Sequence, residues 1–396
     1  MSDWHLARGY QYAGIVSGLR SEPNRRDLAV IVTDTPAAAA GVFTQNRVCA
    51  APVRVSRERL PRADARAIVV CSGNANACTG DQGMADARRM AELVATELGC
   101  HPDQVLVAST GVIGRPLPMP LLEAGIPKAT RAVAPGREAL SDAAHAILTT
   151  DTGIKVSSRI LDLAAGRVTV TGFAKGAAMI GPNLATMLGF VLADAAVGPN
   201  DLHHVLAAAC ESSFNCVSVE GHTSTNDTVF LLANGDGPPL AGHDLATFQD
   251  AIGGVCAELA RKIAIDAEGA EHLITIEVEG CRTDAEAKTV AKTIAESALV
   301  KTAVFGCDPN WGRVVSAAGY SGVVFEETDL SLWMGDMPLY RAGVPLPFDA
   351  AAASSYLKHN REVHFKLRFT LGHGRCTFHT CDLTYEYVKL NADYTT

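Results

Sequence analysis

No long hydrophobic run, no basic cluster and no paired cysteine motif occurs in this chain of 396 residues. The greasiest stretch, residues 184–197, is too short to span a bilayer and contains Asp194, so no membrane crossing is expected. Met1-Ser2-Asp3-Trp4-His5 carries an acid where a secretory leader carries Lys or Arg, and no uninterrupted apolar core follows it, so a cytoplasmic location is expected. A formal net charge of -9 with dispersed bases argues against nucleic acid or an anionic membrane as the main partner. The 11 cysteines include no Cys-x-x-Cys, which reads as reduced, mostly interior thiols. Also missing are a Gly-x-Gly-x-x-Gly after a strand, a Walker loop, a Gly-x-Ser-x-Gly elbow and a His-Glu-x-x-His helix.

What is present is apolar: 48% of residues are hydrophobic and only 19% charged, enough to build one large domain or two intimate ones. Short runs rich in Val and Ile alternate with stretches of helical spacing, the pattern of a mixed α/β or α+β protein. Strands are expected at 28–32, 67–71, 105–108, 154–161, 168–171, 230–233, 273–278, 364–369 and 376–383, the fourth and fifth joined by the turn Ala164-Ala165-Gly166-Arg167. A helix is expected to start at Thr283, with Glu286 completing a capping box and Ala287, Val290, Ala291 and Ile294 on its buried face. Two more are expected, one burying Leu202, Val205, Leu206 and Ala209, the other at 245–265. Gly181-Pro182 and Gly237-Pro238-Pro239 are the best candidate breaks.

Four clusters of Gly, Asn, Thr and Pro interrupt the apolar sequence. Ser72-Gly73-Asn74-Ala75-Asn76-Ala77-Cys78-Thr79-Gly80 and Ser109-Thr110-Gly111-Val112-Ile113-Gly114 each follow an expected strand and read as tight loops at a sheet end. In the third, Lys175-Gly176 leads through Gly181-Pro182-Asn183-Leu184 to Ala185-Thr186 and a strand-like run. The chemistry available there is an N-to-O acyl shift: the Thr186 hydroxyl attacks the Ala185 carbonyl, and hydrolysis of the ester frees Thr186 as a new N-terminus. Its α-amine, with an ordinary pKa of about 8, would then serve as base for its own hydroxyl. The alternative is an ordinary buried threonine on a strand. The fourth cluster, Gly306 to Arg313 together with Thr223 to Thr228, is turn-rich, equally suited to core-supporting loops, and is assigned no direct chemistry. His373, Cys376, His379 and Cys381 crowd one segment, but strand alternation splits Cys376 from His379 and Cys381, so no metal site is expected.

In order and spacing these motifs resemble the ornithine acetyltransferase family, also called bifunctional glutamate N-acetyltransferase and amino-acid acetyltransferase of arginine biosynthesis. The resemblance runs end to end and rests also on Thr149-Thr150-Asp151-Thr152, Glu268-Gly269-Ala270 and the tail Leu390-Asn391-Ala392-Asp393-Tyr394-Thr395-Thr396. It implies a self-cleaving aminopeptidase-like α/β fold of mixed sheets packed against helices. It also implies a precursor cut between Ala185 and Thr186 into an α chain (1–185) and a β chain (186–396), interlaced and assembled as an α2β2 heterotetramer. The implied reaction is ping-pong: N2-acetyl-L-ornithine acetylates Thr186, ornithine leaves, and L-glutamate takes the acetyl group. By the same resemblance Thr110 and Gly111 form the oxyanion hole, and Thr152, Lys175, Thr186, Glu268, Asn391 and Thr396 contact substrate. No cofactor is implied, although acetyl-CoA is a candidate co-substrate. An N-terminal-threonine amidohydrolase or aminopeptidase of similar fold is the alternative. The chain departs from the family's usual Asp-Gly-Glu-Gly-Ala-Thr-Lys at Asp266-Ala267-Glu268-Gly269-Ala270-Glu271-His272, placing an acid and an imidazole beside Glu268.

Overall fold

The computed structural model describes residues 4–181 and 187–393; Ala185, Thr186 and Thr396 fall outside the described residues. The first part of the chain forms β1 (Tyr10–Ile15), β2 (Leu28–Phe43), α1 (Ala51–Glu58), β3 (Arg62–Asn74), α2 (Gly80–Leu98), β4 (Val105–Val112), α3 (Met119–Arg131), α4 (Arg137–Ala146), β5 (Lys155–Leu163), β6 (Gly166–Lys175), β7 (Leu188–Ala193), α5 (Pro199–Glu211) and β8 (Thr228–Ala233). A long helix, α6 (Gly242–Ile265), leads to the second part. There lie β9 (Leu273–Cys281), α7 (Asp284–Ala295), α8 (Ala298–Phe305), α9 (Trp311–Gly319), β10 (Ser331–Met334), β11 (Met337–Arg341), β12 (Val344–Pro345), α10 (Ala350–His359), β13 (Glu362–Arg368), β14 (Gly374–Cys381) and α11 (Tyr385–Asp393). No helix among the described residues is long and apolar enough to cross a membrane.

Two sheets result, both mixed and both packed against helices, which is the α/β class expected. The first runs β4-β3-β2-β8-β7-β6-β5, with β1 added alongside β2; the second runs β12-β11-β10-β13-β9-β14. Strands from before and after residue 186 share the first sheet: β6 pairs antiparallel with β7, Lys175 lying opposite Leu188, and β7 pairs parallel with β8, Leu188 opposite Thr228. Gly181 therefore sits between neighbouring strands of one sheet, not at a domain edge. Gly237-Pro238-Pro239, by contrast, falls where the chain leaves that sheet for α6.

The longest strand was only partly foreseen. Its expected end at Val32 precedes Thr33-Asp34-Thr35-Pro36, and Pro36 has no N–H to give a ladder. The pairing with β3 shifts register there and resumes at Ala37. β2 thus pairs with β1 through its first half and with β8 through its second. Alternation sends Ile31, Ile68, Leu106, Phe173, Phe190 and Phe230 to one common core. The opposite faces are covered by α1–α3 on one side and by α5 and α6 on the other.

The expected cap of α7 is present, but its box is not closed. Thr283 Oγ1 accepts from Glu286 N at 3.2 Å, while the Glu286 carboxylate accepts from Arg282 N at 3.1 Å, one residue before the cap. Arg282 also offers its guanidinium to Glu286 at 3.1 Å, which draws the carboxylate there. Ala287, Val290, Ala291 and Ile294 face the second core as the spacing requires. On β14, Cys376 lies 3.8 Å from Cys216 Sγ, His379 meets Thr275 Oγ1 at 3.2 Å, and Cys381 lies beside Lys301, so the three side chains serve separate neighbours.

Phe230 is the test of the inner core, since it is fully buried between Phe43 at 6.0 Å and Phe190 at 6.2 Å. Phe230→Ala should lower the unfolding free energy by about 3–5 kcal/mol, read as a drop in the urea midpoint at unchanged slope.

Candidate active site

The two strand ends that carry the first two clusters continue as strands. β3 and β4 run parallel to their last residues, with Ser72 opposite Thr110 and Gly73 opposite Gly111. This pairing requires glycine. Gly111 has φ +133°, and a Cβ there would lie 2.3 Å from the Gly73 carbonyl carbon and 2.5 Å from Asn74 N. Asn74 then accepts from Asn76 N at 2.8 Å, and Ser109 Oγ donates to Ala75 O at 2.6 Å, so the first cluster braces the second from behind.

A third segment locks onto both. Buried Asn226, two residues ahead of β8, donates its amide to Ala75 O at 2.6 Å and to Ser109 O at 2.9 Å. The next residue, Asp227, accepts from Met187 N at 3.2 Å through one oxygen; the other has no partner among the described residues. Burial pushes the Asp227 carboxyl well above the usual range. On the near side Ile180 is held equally firmly: its N–H donates to the Glu220 carboxylate, and its carbonyl accepts from Val219 N at 2.7 Å. Burial raises Glu220 to about 7.

Between these supports lies a cavity of about 130 Å³. Thr110, Gly111, Lys175, Glu268 and Asn391 all line it, five residues brought together from distant parts of the sequence. Larger clefts of about 740 Å³ lie elsewhere, but the one between Arg59, Arg62 and Arg88 has its cations paired with Asp103, Asp64 and Glu58. Thr152 does not line the cavity. Its N–H and hydroxyl both bond Asp266, and Thr149 and Thr150 occupy the wall instead. Ser224, Thr225 and Asn226 also face the space, so the 223–228 segment assigned no direct chemistry contributes to the site itself. The available signal was its run of hydroxyls and amides beside an apolar strand. Cys307 to Arg313, in contrast, caps α9 through Asn310 and packs Trp311 on Tyr340.

Lys175 is the one side-chain cation among the described residues of the cavity wall. Only 2% of its side chain is exposed; its ammonium donates to Thr149 Oγ1 at 2.6 Å and lies 3.8 Å from Asp151. Burial pushes its pKa down, and Asp151 opposes that shift. Burial alone would raise Asp151, but Lys175 and Lys155 overcome it and hold the carboxyl well below the usual range. Across the cavity, Glu268 accepts from the Asn391 amide at 3.1 Å. Gly269, at φ +66°, lets α11 approach so that its Asn391 reaches that far.

The departure at Glu271-His272 turns away from the cavity. His272 is buried; Nδ1 lies 2.7 Å from Asp382 Oδ2 and Nε2 3.0 Å from Leu357 O, so each ring nitrogen faces an acceptor, an arrangement that favours the imidazolium. Its hydrogen bond to Asp382 raises its pKa.

A small recess whose wall, among the described residues, carries one buried cation, one carboxylate and several hydroxyls and amides suits a small molecule with charged ends. The ArgJ family model matches residues 11–396. The arginine biosynthesis bifunctional protein of Symbiobacterium thermophilum is 47% identical, covering 98% of this chain and 97% of its own. That of Thermosynechococcus vestitus is 44% identical over the whole of both. The crystal structure of the Bacillus halodurans protein of the same name, 39% identical, covers 51% of this chain and 96% of its own with a TM-score of 0.49. The chain belongs to the ArgJ family, and it is an arginine-biosynthesis enzyme, by class a glutamate N-acetyltransferase.

Because the folded His272 pKa is raised, its stabilising contribution is complete below the ordinary value of 6.5 and is lost as pH rises through the folded value. Urea unfolding of wild type and His272→Gln across this range should show a gap that is widest in acid and narrows in base; a gap independent of pH would contradict the imidazolium.

Proposed function

We propose that this enzyme moves an acetyl group from N2-acetyl-L-ornithine to L-glutamate through an acetyl ester on Thr186, after cutting its own chain between Ala185 and Thr186. The observation that supports the reading is the convergence of Thr110, Gly111, Lys175, Glu268 and Asn391 on one cavity. Residues 181 and 187 are the nearest described neighbours of the proposed cut; on its two sides the Ile180 N–H donates to the Glu220 carboxylate and the Met187 N–H to that of Asp227.

In the proposed maturation the Thr186 hydroxyl adds to the Ala185 carbonyl, the C–N bond breaks with a proton passing to nitrogen, and water hydrolyses the ester. The freed α-amine then takes the hydroxyl proton as Thr186 Oγ attacks the acetyl carbonyl of acetylornithine. Negative charge gathers on the carbonyl oxygen, where the Thr110 hydroxyl and the Gly111 N–H can donate to it. Collapse expels ornithine, its amine receiving the proton from the α-ammonium; the glutamate amine then attacks the ester and reverses the sequence. Both amino acids carry an α-carboxylate, which Lys175 suits as a buried point charge. Glu268 suits the ammonium of the ornithine side chain, and Thr396 completes the proposed contacts; Thr152, bonded to Asp266, would act only through that carboxylate. A cavity of about 130 Å³ is below the roughly 300–1,000 Å³ of drug-sized sites, in keeping with a small metabolite. We further propose a cytoplasmic α2β2 assembly with no bound cofactor, acetyl-CoA being a second donor.

Intact mass and N-terminal sequencing of purified protein should give two fragments, the second starting Thr-Met-Leu-Gly, and Thr186→Ala should stay a single inactive chain. Thr110→Ala should cut kcat by about 10²–10³-fold, the loss of one oxyanion donor. Acetate release indifferent to added glutamate would instead mark an amidohydrolase, and acetylglutamate formed from acetyl-CoA and glutamate alone would establish the second donor.

A further inference from the structure

Lys175 faces the cavity with a carboxylate behind it, and a cation fully paired with its own protein would have little attraction left for a substrate. Asp151 is not given over to Lys175. Its Oδ1 accepts from Lys155 Nζ at 2.7 Å and from Gly176 N at 2.6 Å, whereas Lys175 stands 3.8 Å from Oδ2, which Thr149 N occupies at 3.1 Å. Lys155 in turn reaches Asp266 at 2.5 Å. The result is an alternating row, Lys175, Asp151, Lys155, Asp266, whose side chains are at most 14% exposed. Opposed charges at such burial interact strongly, and the sharing of Asp151 decides how much positive charge remains at the cavity end.

We propose that Asp151 is a positioning residue for Lys175, and that Lys155, by engaging Asp151 more closely, leaves the Lys175 ammonium free to pair with a substrate carboxylate. The proposal rests on the reading of Lys175 as the carboxylate anchor. Asp151 keeps the ammonium charged in a place where burial favours loss of its proton; Lys155 keeps Asp151 from closing on it. Five groups face the Lys175 charge. Asp151 and Asp227 favour the ammonium, Lys155 and Arg20 disfavour it, and Glu268 shares the cavity wall.

The two partners therefore have opposite signatures. Asp151→Asn removes the charge that favours the ammonium, so the alkaline limb of kcat/KM for glutamate should move to lower pH by about one unit, with KM raised about tenfold above that limb. Lys155→Met removes a repelling cation and releases Asp151 toward Lys175. Its alkaline limb should move to higher pH, while KM at neutral pH rises because the anchor is quenched. The pH dependence of ornithine binding to the purified full-length enzyme, by calorimetry, should shift in the same two directions without reference to turnover. A protein that had merely lost packing would not show shifts of opposite sign. Should Asp151→Asn fail to fold by circular dichroism, the alkaline shift of Lys155→Met decides the matter alone. Lys175→Met separates the two levels of inference. If it leaves KM unchanged, the anchor reading fails; if it raises KM while the limbs of the other two variants stay where wild type has them, the shared-carboxylate proposal is overturned.

Discussion

The missing side chain at Gly111 is the constraint on which the site is built. Because a Cβ there would stand 2.3 Å from the backbone of the neighbouring strand, only glycine lets β3 and β4 stay paired through Gly73 and Gly111. That close approach places Thr110 and the Gly111 amide at the rim of the cavity. It also lines up the carbonyls of Ala75 and Ser109 for the single amide of Asn226. Through Asn226 and Asp227 the same contact reaches Met187, so three chain segments far apart in sequence are fixed by one backbone approach.

Much of the fold was legible because it obeys local rules. The strands at 67–71, 105–108 and 230–233 are uninterrupted apolar runs, and they are buried on both faces as such runs demand. The helix after Thr283 declares itself by cap and period. What stayed hidden depends on partners the sequence does not display. β2 continues past Pro36 because β8 offers it a second neighbour, and no periodicity across Thr33 to Pro36 announces that. The helix at Arg137–Ala146 is short and rich in Ala, so its spacing is diluted.

The candidate site divides the same way. Thr110, Gly111, Lys175, Glu268 and Asn391 were found through their motifs, and the structure gathers them. Thr152 was found too, yet its hydroxyl is taken by Asp266, a residue more than a hundred positions away, while its neighbours Thr149 and Thr150 face the cavity. Two residues along an irregular segment change which side chain points inward, and spacing alone does not resolve that. Lys155 and Asp266 look in sequence like ordinary surface charges; only burial beside Asp151 gives them meaning. Glu271-His272 is the opposite case: in sequence the pair stands beside Glu268, yet in the structure the His272 ring ties Asp382 to Leu357.

The antiparallel pairing of β6 with β7 bears on what a cut between them leaves behind. Two fragments so produced would stay joined along residues 170–175 and 188–193 by a ladder inside one sheet, with Phe173 on Phe190 across the seam at 5.1 Å. A severed protein of this kind comes apart only by melting. Unfolding then becomes dissociation, and recovery requires two polypeptides to meet again. Dilution alone would set the yield of renaturation, and the native molecule would persist by the slowness of its opening more than by any equilibrium with its separated halves.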